Sequence, residues 1–381
     1  MDYSYQQNQR FFAQVAGGIE ALAAEELAEL GASDISERYR GLFFTADFET
    51  LYRINYCSRL LSRVIAPLEG FQCRHTDQIY KKAKSMAWED FFSVDDTFAV
   101  YANVSNSPIN HSLFAALRVK DGIADRFTNK LGKRPNVDTK NPTVWINLHI
   151  DQDQGTIGID TSNGPLHKRG YRRESILAPM QETLAAAIIR LSEWNGERQL
   201  FDPMCGSGTL LSEALMHISR TPAGYFRKRF GFEILPEFSQ EVWDRVKKEA
   251  DAQMREPAEN CIAGSDESAK AVKATRTNLA VLPFGERIRI AQRNYLDIPE
   301  LSGKTIVTNP PYGLRLEMNT DMQYFFKTFG DFLKQRCAGS TAFVYFGERE
   351  HLKSLGLRPS WKKPLANGPL DGRLAKIELY K

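Results

Sequence analysis

The stretch "TNPPYG", Thr308 to Gly313, follows an apolar run "KTIV". Proline lacks the N–H that a ladder needs and fixes φ, so a proline pair ends a strand. Asn309 therefore stands at a strand tip on stiffened backbone. Its amide oxygen and the Pro310 carbonyl can converge, and two acceptors side by side hold an exocyclic NH₂ group by both hydrogens. An amino group on a nucleobase is a poor nucleophile because its lone pair is delocalised into the ring. Holding both hydrogens helps to localise that pair as a bond forms, which is preorganised electrostatic catalysis. Tyr312 offers a flat face on which a splayed-out base can stack. An ordinary surface turn is the competing reading, since proline is a common turn former.

Three further motifs precede it. In "FDPMCGSGTL" a strand ends at Asp202, and Gly206 and Gly208 lie in the turn before a helix. Glycines there let backbone approach a ligand closely, and the helix N-terminus offers free N–H groups. The third glycine of a dinucleotide fingerprint is missing, and no G-K-[ST] marks a P-loop. A glycine turn without a ligand stays open on this motif. In "CIAGSDES" a strand ends at Asp266, which can accept both hydroxyls of a ribose or cap the following helix. In "AQRNYLD", Asn294 follows a strand and can face an adenine edge or sit as a loop residue.

The elements that must position these residues alternate from about residue 176. Helix "QETLAAAIIRLSEW", strand "RQLF", helix "LLSEALMHIS", strand "CIAGSD" and helix "SAKAVKATRTNLAVL" come in turn. Strands "RIRIAQ" and "KTIVTN", helix "DMQYFFKTFGDFLKQR" and strand "STAFVYFG" complete the series. Such alternation implies an α/β fold with a parallel sheet covered on both faces, which binds ligands at the carboxyl ends of its strands. Two smaller α+β units come first. One has strands "FFAQV" and "YRGLFFTAD" with helices "GIEALAAEELAELG" and "FETLYRINYCSRLLSRV". The other has helix "DQIYKKAKSM", strand "DTFAVYANVSN", a long helix from "HSLFAALRVKDGIADRFTNKLGKR", and a hairpin around "DQDQG". The polar, basic "NGPLHKRGYRRES" reads as a linker.

The chain has 381 residues, enough for two or three domains. Hydrophobic residues make up 42% and charged residues 25%, the balance of a soluble globular protein. No apolar run reaches bilayer length, and "MDYSYQQNQRFFAQ" lacks the order of a signal peptide. The five cysteines, Cys57, Cys73, Cys205, Cys261 and Cys337, have no metal-site spacing and form no evident disulfide framework. A cytoplasmic location without a metal is expected. Residues 1–60 carry a net charge of −4, residues 61–165 zero and the remainder +7. A basic C-terminal part is compatible with a polyanionic partner.

"DPMCGSGT", "GSDESA" and "NPPYG", in that order, resemble class I S-adenosylmethionine-dependent methyltransferases acting on exocyclic amines. "FFAQVAGGIEALAAEELAELGA", "LFAALRVKDGIADRF" and "LHKRGYRRESILAPMQETLAAAII" narrow the resemblance to THUMP-domain RNA guanine-N2-methyltransferases of the large-subunit ribosomal RNA type and their tRNA counterparts. The resemblance covers nearly the whole chain. It implies a ferredoxin-like domain over 1–62, an RNA-gripping THUMP domain over 63–164 and a Rossmann-like class I catalytic domain over 165–381. The chain is too short for the second methyltransferase domain of some relatives. S-adenosylmethionine is the implied cofactor and RNA the implied partner.

Carried over, Asp202, Gly206 and Gly208 line the methionine part of the cofactor, with Cys205 and Thr209 in the same loop. Asp266 holds the ribose, and Asn294 meets the adenine, where many relatives have Asp. Asn309, Pro310 and Tyr312 hold the target guanine. Adenine-N6 methylation is an alternative because "NPPY" suits that amine too, and a non-catalytic RNA-binding assembly factor is another. The insert over 221–253 is expected to shape RNA access. Arg118, Arg126, Lys130 and Arg134 fall on one helix face, and "HKRGYRR" and "YFRKRF" mix basic with aromatic residues. Each is a candidate for phosphate contact or an ordinary solvated face. Cys205 and Cys337 do not neighbour the amine clamp and read as structural.

Overall fold

Alternation in "RFFAQ" buries Phe11 and Ala13 completely and turns Phe12 to the opposite side. That strand, β1 (Arg10–Gln14), belongs to the first of two sheets in the computed structural model, which describes residues 3–176, 179–311, 322–368 and 371–380. Its companions are β2 (Ser33–Arg38), β3 (Gly41–Thr45), β4 (Arg63–Gln72), β5 (Thr97–Ser105), β6 (Asn136–Val137), β7 (Val144–Asp151) and β8 (Gln154–Asp160). They lie in the order β2-β3-β1-β4-β8-β7-β5-β6. Helices α1 (Ser4–Asn8), α2 (Glu20–Glu29), α3 (Phe48–Cys57), α4 (Thr76–Ser85) and α5 (Ser112–Leu131) accompany it.

Strand β4 departs from the sequence expectation. The helix expected to run through "SRLLSRV" stops at Cys57, and Arg63 and Val64 open a strand. β4 pairs antiparallel with β1 on one side and β8 on the other. Val64 and Ala66 are fully buried there. Two sheet neighbours outweigh the helical propensity of the preceding leucines. The two N-terminal units therefore share one continuous sheet. Helix α5 ends where Gly132 adopts φ 69°. Arg134 thus lies beyond the helix, off the face it was expected to share.

The second sheet contains β9 (Leu200–Asp202), β10 (Ile262–Asp266), β11 (Arg289–Gln292), β12 (Thr305–Thr308), β13 (Thr341–Phe346), β14 (Trp361–Pro364) and β15 (Arg373–Glu378). Its order is β11-β10-β9-β12-β13-β15-β14. The first five are parallel, as the alternation implied, while β15 and β14 add an antiparallel pair that the sequence reading missed. Helices α6 (Glu182–Leu191), α7 (Thr209–Ile218), α8 (Gln240–Ala252), α9 (Ala269–Leu279), α10 (Met322–Arg336) and α11 (His351–Ser354) complete the domain. Successive residues enter opposite cores: Ile306, Ala342 and Val344 pack with Phe326 and Phe329 of α10, whereas Val307, Phe343 and Tyr345 join the main core. A parallel strand covered on both faces must be apolar on both.

The stretch read as a linker is a buried strap. Arg169 is 2% exposed and donates to Glu213 at 3.4 Å and to the carbonyl of Leu166 at 2.8 Å. Buried Tyr171 donates to the same carboxylate oxygen at 3.0 Å. A guanidinium goes inside when acceptors surround its donor fork. The insert packs against the N-terminal unit. Phe232 stacks on Tyr52 at 4.4 Å, Trp243 meets Tyr56 edge-on at 5.3 Å, and Arg245 pairs with Glu49 at 2.7 Å. These contacts fasten the part of the chain that carries the second sheet to α3 by aromatic burial.

Candidate active site at the strand tips

The order of the second sheet reverses between β9 and β12, the place where an open α/β sheet leaves a crevice. Asp202 closes β9 there, 2% exposed. One carboxylate oxygen accepts the Thr308 hydroxyl at 2.7 Å and the Met204 N–H at 3.1 Å. Burial nevertheless dominates, and the carboxyl pKa is pushed up to about 7, with the charge of Asp266 adding to the rise.

The loop after β9 turns on two left-handed glycines, Gly206 at φ 57° and Gly208 at φ 79°. A Cβ on Gly208 would lie 2.7 Å from Cγ2 of Thr275. Thr275 donates its hydroxyl to the Gly206 carbonyl at 2.8 Å, and the Gly206 N–H reaches Asp266 at 2.9 Å. The other oxygen of Asp266 accepts the Ser268 N–H at 3.0 Å. Ser268, not Asp266, caps α9 by accepting from Ala271. Asp266 instead joins the glycine loop to the tip of β10 and keeps further lone pairs for a ligand.

Thr209 is buried, and its hydroxyl accepts from Arg172 at 3.0 Å. Cys205 is buried beside Thr275, with sulfur and oxygen 3.7 Å apart. Burial drives its thiol pKa well above the usual range, and that of Cys337 up to about 12, so neither is a ready thiolate.

Asn294 lies in the cavity wall with its amide engaged. Its oxygen accepts the Leu296 N–H at 2.9 Å, and its NH₂ donates to Glu267 at 2.6 Å. Glu267 borders the same cavity of about 350 Å³, together with Asp266, Tyr295, Phe325 and Ile176. It is a site residue the sequence reading missed, because an acid beside an acid carries no distinguishing signal. Arg172 was missed as well. It pairs with Glu182 at 2.8 Å and donates to Ser207 at 3.1 Å, holding the glycine loop from behind.

Asn309, 9% exposed, follows the last residue of β12 and borders both the large cavity and a smaller one shared with Asp202, Gly206 and Thr209. Among the described residues its buried side-chain oxygen has no hydrogen-bond partner. Buried acceptors are nearly always satisfied, so this atom is a candidate to take a donor from a ligand. Pro310 is buried, Pro311 borders the large cavity, and Tyr312 lies outside the described residues.

Several of the suspected phosphate contacts have partners within the protein. Arg118 pairs with Asp77 at 3.0 Å, and Arg126 with Glu89 at 2.6 Å. Lys130 also meets Glu89, and Arg227 donates to the carbonyls of Ser162 and Pro165.

Residues 169–376 match the RMKL-like methyltransferase domain, residues 73–160 the THUMP domain and residues 10–65 the RlmL ferredoxin-like domain. A Synechocystis sp. protein to which RNA methyltransferase activity is ascribed is 37% identical over 97% of both chains. Ribosomal RNA large subunit methyltransferase K/L of Syntrophotalea carbinolica is 39% identical over 97% of this chain but only 53% of its own, so this chain spans about half the length of that relative. A crystal structure of a protein ascribed methyltransferase activity, complexed with SAH, superposes with a TM-score of 0.84 at 26% identity over 98% of both chains. A Listeria monocytogenes protein ascribed N6-adenine-specific DNA methylase activity superposes with a TM-score of 0.82 at 26% identity, covering 97% of this chain and 96% of its own.

Proposed function

The chain belongs to the RMKL-like methyltransferase family, and from that premise we propose that it transfers a methyl group from S-adenosylmethionine to the exocyclic N2 of a guanine in large-subunit ribosomal RNA. The observation that carries this reading is the side-chain oxygen of Asn309, buried at the junction of the two cavities and without a partner among the described residues. An acceptor without a donor, beside a proline pair, suits an incoming NH₂ group.

The residues present fit the cofactor. Asp202 favours a cation next to it, because ionising that buried carboxyl without one is costly. Gly206 and Gly208 leave backbone open to close approach. Asp266 and Glu267 suit ribose hydroxyls, with Asn294 orienting Glu267. Tyr295, Phe325 and Ile176 supply apolar walls for a base. When bound, S-adenosylmethionine supplies a methyl group on a positively charged sulfur. Asn309 then positions the amine and stabilises the charge that develops on it, with Pro310 stiffening the backbone and Tyr312 stacking the target base. The N-terminal sheet and its helices grip the RNA.

The test is to incubate the protein with labelled S-adenosylmethionine and undermodified RNA fractionated by size, then identify the labelled nucleoside by mass spectrometry. N2-methylguanosine in large-subunit RNA supports the reading, and in the tRNA fraction it moves the substrate. N6-methyladenosine would replace it with methyl transfer to the adenine amine.

A further inference from the structure

The N-terminal sheet has a second face that the site above does not use. Phe11, Ala13, Leu42 and Phe44 point to the core, so Phe12 and Phe43, directly opposite in register, point away from it. Their rings are 5.0 Å apart. A Cβ on Gly41 would lie 2.2 Å from Cζ of Phe12, so glycine at that position lets the Phe12 ring lie across the neighbouring strand. His149 of β7 is exposed on the same side, its ring 6.2 Å from that of Phe12 and inclined by only 24°. Strands β4 and β8 separate β1 from β7, which would hold the two roughly 14 Å apart in a flat sheet. The sheet is therefore curled, and this face is concave.

Two exposed arginines edge the hollow. Arg10 and Arg38 stand 4.9 Å and 6.0 Å from the centre of the Phe43 ring. Arg10 donates to Ser36 and Arg38 to the carbonyl of Glu37; among the described residues neither meets a carboxylate. Six of the nine acids that make residues 1–60 net negative, Glu20, Glu25, Glu26, Glu29, Asp47 and Glu49, are engaged elsewhere. Glu25 and Glu29 pair with Arg190, Glu49 with Arg53 and Arg245, and Glu26 binds Ser58. The hollow thus sets aromatic rings, those of Phe12 and Phe43 half-buried and that of His149 exposed, beside two arginines that meet no carboxylate among the described residues. Aromatic platforms stack unpaired bases, and arginines beside them take phosphates or stack in turn.

We propose that this concave face, built on Phe12, Phe43 and His149 and edged by Arg10 and Arg38, binds a single-stranded segment of RNA. The proposal rests on the RNA-methyltransferase reading for its choice of ligand. A duplex hides its bases and leaves the rings without a partner, so the site discriminates unpaired from paired RNA.

The test uses the full chain and fluorescence anisotropy with a labelled 12-nucleotide single strand and the matching duplex. Phe12→Leu keeps apolar bulk and loses the ring, and is expected to weaken single-strand binding about tenfold. Arg10→Gln with Arg38→Gln leaves the core untouched and is expected to lower the salt slope by about 1.4, the value for two phosphates on a single strand. Duplex binding stays at its original level, and calorimetric binding of S-adenosylmethionine verifies that each variant is folded. Wild-type affinity and salt slope in both variants would overturn the proposal and leave the face to a protein partner. Equal losses for strand and duplex would overturn it as well. Methyl transfer is measured separately: its absence in the wild-type chain refutes the functional reading, whereas the hollow is judged by binding.

Discussion

The hydroxyl of Thr308 lies 2.7 Å from the carboxylate of Asp202, tying the tip of β12 to the tip of β9 where the sheet order reverses. One bond links the residue before Asn309 to the acid assigned to the cofactor. Disturbance of either tip is therefore transmitted to the other.

With Asp202 at the cofactor as proposed, affinity should depend on pH. The folded pKa of Asp202, about 7, lies above its ordinary 3.8. Its stabilising contribution to the unliganded protein is complete below about pH 4 and is lost as pH rises through about 7. A bound cation favours the ionised form, so binding expels a proton below pH 7. Affinity should fall by up to tenfold per pH unit there. Asp202→Asn should bind more weakly with a flat profile, and Thr308→Val, which removes a bond that lowers the pKa, should move the break to higher pH. Titration calorimetry in buffers of different ionisation enthalpy measures the proton release.

Asn309→Ala should reduce methyl transfer by about 10²- to 10³-fold, the usual effect of removing one preorganised polar group. S-adenosylmethionine affinity should stay within threefold. Because the oxygen removed has no partner among the described residues, the variant should melt no lower than wild type. A parallel loss of cofactor binding, or a drop of several degrees, would contradict the assigned role.

Gly208→Ala forces a side chain onto φ 79° and against Cγ2 of Thr275 at 2.7 Å. A cost of about 1–3 kcal/mol in stability is expected, with weaker cofactor binding. Adding Thr275→Ser removes the clashing methyl while keeping the hydroxyl that binds Gly206, and should recover part of the loss. Chemical denaturation reads the first effect and calorimetry the second.

Arg169 and Glu213 have side chains that are both 0% exposed. Arg169→Met should destabilise the chain by about 3–5 kcal/mol because it leaves a buried carboxylate without its cation. Arg169→Met with Glu213→Leu should cost much less than the sum of the single changes. A double-mutant cycle by urea unfolding checks the coupling.

The place of Asn309 was legible because a proline pair ends a strand in any surroundings, which put it at a strand tip without knowledge of its neighbours. The parallel sheet was legible for a similar reason, since its strands are apolar on both faces and separated by helices. β4 was not, because "LLSRVIAPL" satisfies either a helix or a buried strand until β1 and β8 lie beside it. Glu267 and Arg172 were hidden because a charge in sequence names no partner.

The sequence by itself determined which residues end strands, which turns need glycine, and the order of the motifs, since these depend on backbone sterics within a few residues. Only the tertiary structure decided that Arg169 and Tyr171 lie inside rather than along a linker. It also decided that Arg126 and Lys130 face Glu89, and that Phe12 and His149 share one hollow. Burial and pairing are properties of neighbours brought together across long stretches of chain, and no local spacing encodes them.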